Sequence, residues 1–242
     1  MKQTRLIMGM PITIEIIGGK EKHLSEIFHY FSSVDERFST YKKTSEITKI
    51  NNGLLAKKNY SNDMKTVLKL CEETKRKTSG WFDILHNGKL DPSGLVKGWS
   101  VFEASKRLKK LGYTDFYVDA GGDIEISGKK SGNNWNVGIR NPNNRYEIIK
   151  IFSLSNRGIA TSGTAIRGQH IYNPFVPEEK ITEILSLTVI GPNVYEADRF
   201  ATAAFAMGKK GLSFIESLVG LEGYMVMQDK TAMVTSGLNK YL

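Results

Sequence analysis

Apolar residues at Leu24, Ile27, Phe28, Phe31 and Val34 recur every three or four positions, which puts them on one face of an amphipathic helix. Met64, Val67, Leu68 and Cys71 repeat that spacing within residues 63–78, a second long helix ending at Gly80. Residues 95–111 carry a third. Before them, residues 5–17 alternate and are rich in β-branched side chains, which predicts a strand. Thr44 or Ser45 is placed to cap a short helix. Residues 81–94 show little periodicity and read as a loop. Further on, 116–118 and 124–126 flank Ala120-Gly121-Gly122-Asp123, a strand–turn–strand in which glycine supplies positive φ. Strands are expected at 134–139, 148–154, 158–162 and 185–190, helices at 194–207 and 209–219, and a last strand pair at 223–228 and 231–235. Strands grouped in hairpins with helices between the groups predict an α+β fold.

Composition narrows the function classes. The 242 residues hold 34 Lys plus Arg against 25 Asp plus Glu, a formal charge of +9. The lysines are scattered in pairs such as Lys42-Lys43 and Lys109-Lys110, so the charge reads as solvated surface. A nucleic-acid binder would cluster them among exposed aromatics, and no such cluster exists. The single cysteine, Cys71, excludes an intramolecular disulfide and a cysteine metal cluster. No segment has the length and apolarity of a membrane span or a secretory h-region, so a cytoplasmic location is expected. There is no repeat and no linker, and residues 1–242 are expected to form one domain.

Candidate chemistry lies in three places. Asp198 and Thr202 are four apart, so a helix presents both oxygens on one face, either as ligands for a hard cation or as a dipole-stabilising Asp beside a solvated Thr. Asp91-Pro92-Ser93-Gly94 precedes a helix with Lys97 one turn inside: an anion cradle, or a simple cap with Ser93 as N-cap. Residues 158–174 bring together Thr161, Ser162 and His170 without a G-x-S-x-G elbow, so a hydrolase nucleophile is disfavoured. His86 lies on the 81–94 loop, while His23 and His29 fit a helix surface. The Gly pair at 121–122 precedes a strand and does not form a dinucleotide fingerprint.

The order of these motifs resembles the ApbE-type FAD:protein FMN transferases. The matching pieces are Met8-Gly9, FSTYKKTSEITKIN at 38–51, GWFDI at 80–84, DPSGLVKGWSV at 91–101, AGGDIEISG at 120–128, ATSG at 160–163, HIYNP at 170–174 and LTVIGPNVYEADRFATAAFAMG at 187–208. The resemblance implies a single domain of two intimately packed lobes with mixed or antiparallel sheets and flanking helices. It also implies Mg²⁺-dependent transfer of FMN from FAD to a Thr or Ser hydroxyl of an acceptor protein, with AMP released. Asp198, Thr202 and the Gly94 carbonyl match metal ligands. Met8, Tyr41, Asp83, Ile84, Leu85, Asp91, Lys97 and Tyr172 match FAD-contacting positions, Thr161 and Ser162 are expected to line the same pocket, and His170 matches an essential histidine suited to deprotonating the acceptor. The sequence departs from the family's HIIDP at Asn173 and is shorter between Phe82 and Asp91 and between Ser162 and His170. An FAD pyrophosphatase and a non-catalytic FAD-binding protein are the alternatives.

Overall fold

The alternation in residues 5–17 does not run as one strand. Met8 and Gly9 take positive φ, 56° and 71°, and fold the segment into a hairpin of β1 (Lys2–Ile7) and β2 (Met10–Ile16), with Ile7 opposite Met10. This chain is described by a computed structural model covering residues 1–164 and 171–242, apart from the Arg145 side chain.

The helices follow the apolar spacing. α1 (Glu21–Phe38) buries Leu24, Ile27, Phe28, Phe31 and Val34. Ser45 caps α2 (Glu46–Asn51) by accepting from the Thr48 amide, and Ser61 caps α3 (Asn62–Lys77) through Met64 N. Residues 81–94 contain a short hairpin of β3 (Leu85–His86) and β4 (Lys89–Leu90), turned at Asn87-Gly88 with both φ positive. The Asn51 amide fixes it in place, donating to Leu90 O at 2.9 Å and accepting from Leu90 N at 2.8 Å. α4 (Ser93–Lys110) then leads to β5 (Phe116–Ala120) and β6 (Asp123–Ser127).

The remaining elements are β7 (Trp135–Asn141), β8 (Asn144–Leu154), β9 (Arg157–Gly163), β10 (Ile184–Gly191), α5 (Val194–Ala206), α6 (Gly211–Glu216), β11 (Glu222–Met227) and β12 (Ala232–Val234). One eight-stranded sheet runs β1-β2-β5-β6-β9-β10-β11-β12, while β7 and β8 form a separate pair. The α+β class holds. The strand pairings are antiparallel, and the two halves share this one sheet.

Each half has its own apolar core on the helical face. Ile12, Ile14, Ile16, Phe116 and Val118 pack with α1, α3 and α4. Leu187, Val189 and Met225 pack with α5 and α6. The period-2 alternation of β6 serves both faces of the sheet. Glu125 points to the helices and accepts from Val194 N at the start of α5 at 2.7 Å. Ile124 and Ile126 point the other way, into a third cluster with Trp135, Ile139 and Phe152 of the β7–β8 hairpin.

Candidate functional site

α4 and α5 cross where Gly98 meets Asp198. A Cβ on Gly98 would lie 2.5 Å from Asp198 Cβ and 2.9 Å from Val194 O, so the contact is nearly backbone to backbone. That closeness lets Gly98 N donate to Asp198 Oδ2 at 2.7 Å. One turn along α5, Thr202 Oγ1 donates to Gly94 O at 3.3 Å and lies 3.5 Å from Ser162 Oγ. The sequence-predicted trio of Asp198, Thr202 and the Gly94 carbonyl is thus assembled by the helix crossing.

The electrostatics of this corner are unbalanced. Lys97 Nζ lies 2.7 Å from Asp123 Oδ2 and 3.9 Å from Asp198 Oδ1, so two buried carboxylates face one ammonium. Asp123 Oδ2 takes part in that ion pair but receives no directed hydrogen bond. Its other oxygen accepts from Thr161 N at 3.3 Å. Burial, followed by the charge of Asp123, raises the Asp198 carboxyl well above the usual carboxylate range, and Lys97 opposes the shift. Nearby Asp119 is raised by burial to about 6, and its Oδ1 accepts from Gly122 N at 2.8 Å, which fixes the Gly121-Gly122 turn.

These residues fit a hard divalent cation. The donors are a carboxyl, a hydroxyl and a main-chain carbonyl, all oxygen, and a cation would offset the burial and the Asp123 charge that disfavour ionised Asp198. Among the described residues no three His, Cys, Asp or Glu side chains converge as a metal cage. A cation here would complete its shell with water and ligand phosphate, as Mg²⁺ commonly does.

The corner opens into a cleft of about 1820 Å³ lined by Asp83, Asp91, Gly94, Lys97, Thr161, Ser162, Tyr172, Asp198 and Thr202. Drug-sized ligands fill roughly 300–1,000 Å³. Tyr172 tilts against His86, with ring centroids 4.2 Å apart, and donates to Asp83 O at 3.0 Å. Burial pushes its phenol up to about 12. Asp83 also pairs with Lys75 at 2.7 Å. Pro92, not Ser93, occupies the N-cap position of α4, and Asp91 Oδ1 accepts from Ser93 N at 3.0 Å. The Asp91 carboxylate thus satisfies the first amide of α4, and no side-chain oxygen caps the helix at Pro92.

Other expected residues are not gathered here. Tyr41 is 96% exposed between α1 and α2 and does not line the cleft. Ile84 packs on the first core, Leu85 is exposed on β3, and Met8 sits in the β1–β2 turn beside the cleft-lining Gly9 and Met10. His170 lies outside the described residues. Asp119 and Asp123 were missed as site residues, although the AGGD motif contains one of them. Strand parity puts Asp123 with Glu125 on the face of β6 that meets the helices, but it does not put Asp123 beside Lys97.

Fold and site together define an α+β protein whose crossed helices present an oxygen-lined corner to a large cleft. The ApbE family matches residues 8–88 and 85–225, and the chain belongs to that family. Among curated relatives, an FAD:protein FMN transferase of Haemophilus influenzae is 24% identical over 163 residues, covering 63% of this chain and 47% of the relative. One from Treponema pallidum is 26% identical over 168 residues, covering 62% and 46%. The chain spans about half the length of these relatives. The solved flavin transferase ApbE from Vibrio cholerae superposes with TM-score 0.86 at 20% identity, covering 100% of this chain and 99% of that one. The ApbE protein of Thermotoga maritima gives 0.87 at 19%, covering 100% and 98%. Among the described residues, no helix is long and apolar enough to cross a membrane.

Proposed function

We propose that this protein is an FAD:protein FMN transferase that moves the FMN half of FAD to a Thr or Ser hydroxyl of an acceptor protein, using Mg²⁺ and releasing AMP. The observation carrying this reading is the convergence of Asp198, Thr202 Oγ1, Gly94 O and the Lys97 ammonium in one corner of a cleft with room for a dinucleotide. Membership in the ApbE family and relatives of that activity support it.

Asp198, Thr202 and Gly94 O would hold Mg²⁺, which when bound neutralises phosphate charge and polarises the reacting phosphorus. Lys97 adds a fixed positive charge for the diphosphate, and its pairing with Asp123 orients it. Thr161 and Ser162 supply hydroxyls to the pocket wall, and Tyr172, braced by His86 and Asp83, offers a ring face to flavin or adenine. The acceptor oxygen bonds to the FMN-side phosphorus as the bond from that phosphorus to the bridging oxygen breaks. AMP leaves with the bridging oxygen, and FMN remains on the acceptor as a phosphoester. His170 is assigned to take the hydroxyl proton, a role suited to an imidazole that titrates near neutrality.

Incubation with FAD, Mg²⁺ and candidate acceptor proteins, read by intact mass and in-gel flavin fluorescence, tests the proposal. An acceptor gaining FMN supports it. Free FMN and AMP without an adduct would make the protein a pyrophosphatase, and neither product would leave a flavin-binding protein.

A further inference from the structure

The cleft has a second wall, away from the crossed helices. In β2 and β5, Ile12, Ile14, Phe116 and Val118 belong to the helical core, so strand alternation turns Thr13, Tyr117 and Asp119 to the opposite face of the sheet. Thr13 pairs with Asp119, and Asp119 pairs with Ile124 of β6. Thr13, Tyr117, Asp119 and Ile124 all line the cleft and form its floor. This floor combines an apolar surface with a fixed acceptor. The Tyr117 ring is held edge-on by Trp135, with centroids 5.3 Å apart. Gly122 N donates to Asp119 Oδ1 at 2.8 Å and holds the carboxyl in place, while among the described residues Oδ2 receives no hydrogen bond. Glu15, opposite Tyr117, differs: Lys130 lies 2.6 Å from it and Lys2 3.7 Å. The floor adjoins the cation corner, because Asp123, which pairs with Ala120 across the Gly121-Gly122 turn, meets Lys97 at 2.7 Å.

We propose that this floor is a ring-binding subsite, in which a planar heteroaromatic ring packs on Tyr117 and Ile124 and donates an N–H to Asp119 Oδ2. The inference rests on the transfer reading, which places a diphosphate at the Lys97 corner, from which both rings of FAD extend. Each of those rings carries such a donor, adenine its amino group and flavin its N3–H. An ionised carboxylate accepts and cannot donate, so it selects a ring edge that carries hydrogen and rejects one that presents oxygen. The aromatic and aliphatic side chains around it supply the apolar contact that a ring face needs. Asp119 thereby sets which ring edge is accepted. Burial raises its carboxyl to about 6, which leaves it ionised at pH 8.

The test measures Kd at pH 8 by calorimetry for the intact wild-type protein and for Asp119→Asn, with two pairs of ligands and with FAD itself. The first pair is AMP and the 6-methoxypurine ribonucleotide, which presents oxygen where AMP presents its amino group. The second is FMN and N3-methyl-FMN. Asparagine keeps an oxygen for Gly122 N and puts an NH₂ group in place of Oδ2. If adenine occupies the floor, the wild type prefers AMP about tenfold and Asp119→Asn reverses the preference, a gain for the methoxy ligand that misfolding cannot produce. If flavin occupies it, the wild type prefers FMN about tenfold and Asp119→Asn erases the preference, with binding of N3-methyl-FMN unchanged. Either result supports the subsite and identifies its ring. Wild-type binding of FAD, with neither preference altered by Asp119→Asn, overturns the subsite and leaves the transfer reading intact. A wild-type protein that binds neither FAD nor its halves overturns both.

Discussion

Replacing Gly98 by Ala tests whether the helix crossing builds the cation corner. The new methyl would lie 2.5 Å from Asp198 Cβ and 2.9 Å from Val194 O. Ordinary contact begins at 3.4 Å, so α4 and α5 must separate by 3.4 minus 2.5, or 0.9 Å. Neither obstacle is the end of a flexible side chain, so the strain falls on the helices. Overpacking of this kind costs about 1–3 kcal/mol, and the better helix propensity of Ala returns up to about 1 kcal/mol. The expected net loss is about 1–2 kcal/mol, a fall in Tm of roughly 2–8 °C for a chain of this size. The same shift lengthens the 2.7 Å bond from Gly98 N to Asp198 Oδ2 and displaces the carboxylate from Thr202 and Gly94 O. Mg²⁺ affinity should therefore fall about tenfold, the equivalent of about 1.4 kcal/mol. Calorimetric unfolding with and without Mg²⁺, together with direct Mg²⁺ titration, reads both effects. A Gly98→Ala protein with wild-type Tm and wild-type Mg²⁺ affinity would show that the helix crossing does not build the cation corner.

Three further outcomes follow from the same geometry. Glu125 is buried against the start of α5, and burial raises its carboxyl from the ordinary 4.5 to about 7. Its folded value lies above its unfolded one, so its stabilisation is complete below about pH 4.5 and is lost as pH rises through about 7. Glu125→Gln keeps an acceptor for Val194 N and should flatten that part of the stability profile, gaining about 3 kcal/mol at pH 8 in urea titrations; parallel profiles would contradict this. Lys97→Met leaves two buried carboxylates without their ammonium and should lower kcat/KM for FAD about 100-fold, with near-normal kcat/KM showing that Lys97 does not meet the diphosphate. Tyr41→Ala should change the FAD Kd less than about twofold by fluorescence titration, because Tyr41 is outside the cleft.

The long helices and central strands were legible because their apolar residues repeat at 3.6 or 2 over many positions. α1, α3 and the β5–β6 hairpin formed where that spacing placed them. Short elements lacked that redundancy. The β3–β4 hairpin has two residues per strand, too few for a period, although Asn87-Gly88 is a strong hairpin-turn signal. The β1–β2 turn has a weaker signal, since Gly9 suits positive φ but Met8, at φ 56°, is not a residue that favours it. Asp198 and Thr202 could be paired from helical spacing alone. Asp123 could not join them, because its meeting with Lys97 depends on α4 lying across β6, a tertiary contact without a local signature. Tyr41 illustrates the converse, since a motif match fixes a position in the chain but not whether its side chain lines the cleft.

The proposed transfer requires the cleft to join FMN to a protein hydroxyl and Asp198 to anchor the cation. It is tested most directly by counting AMP released against FMN gained by the acceptor, for wild type and Asp198→Ala side by side in Mg²⁺. The expected result is one AMP for each FMN attached in the wild type, and neither product from Asp198→Ala. AMP in large excess over attached FMN, or an Asp198→Ala protein with undiminished Mg²⁺-dependent turnover, would contradict it.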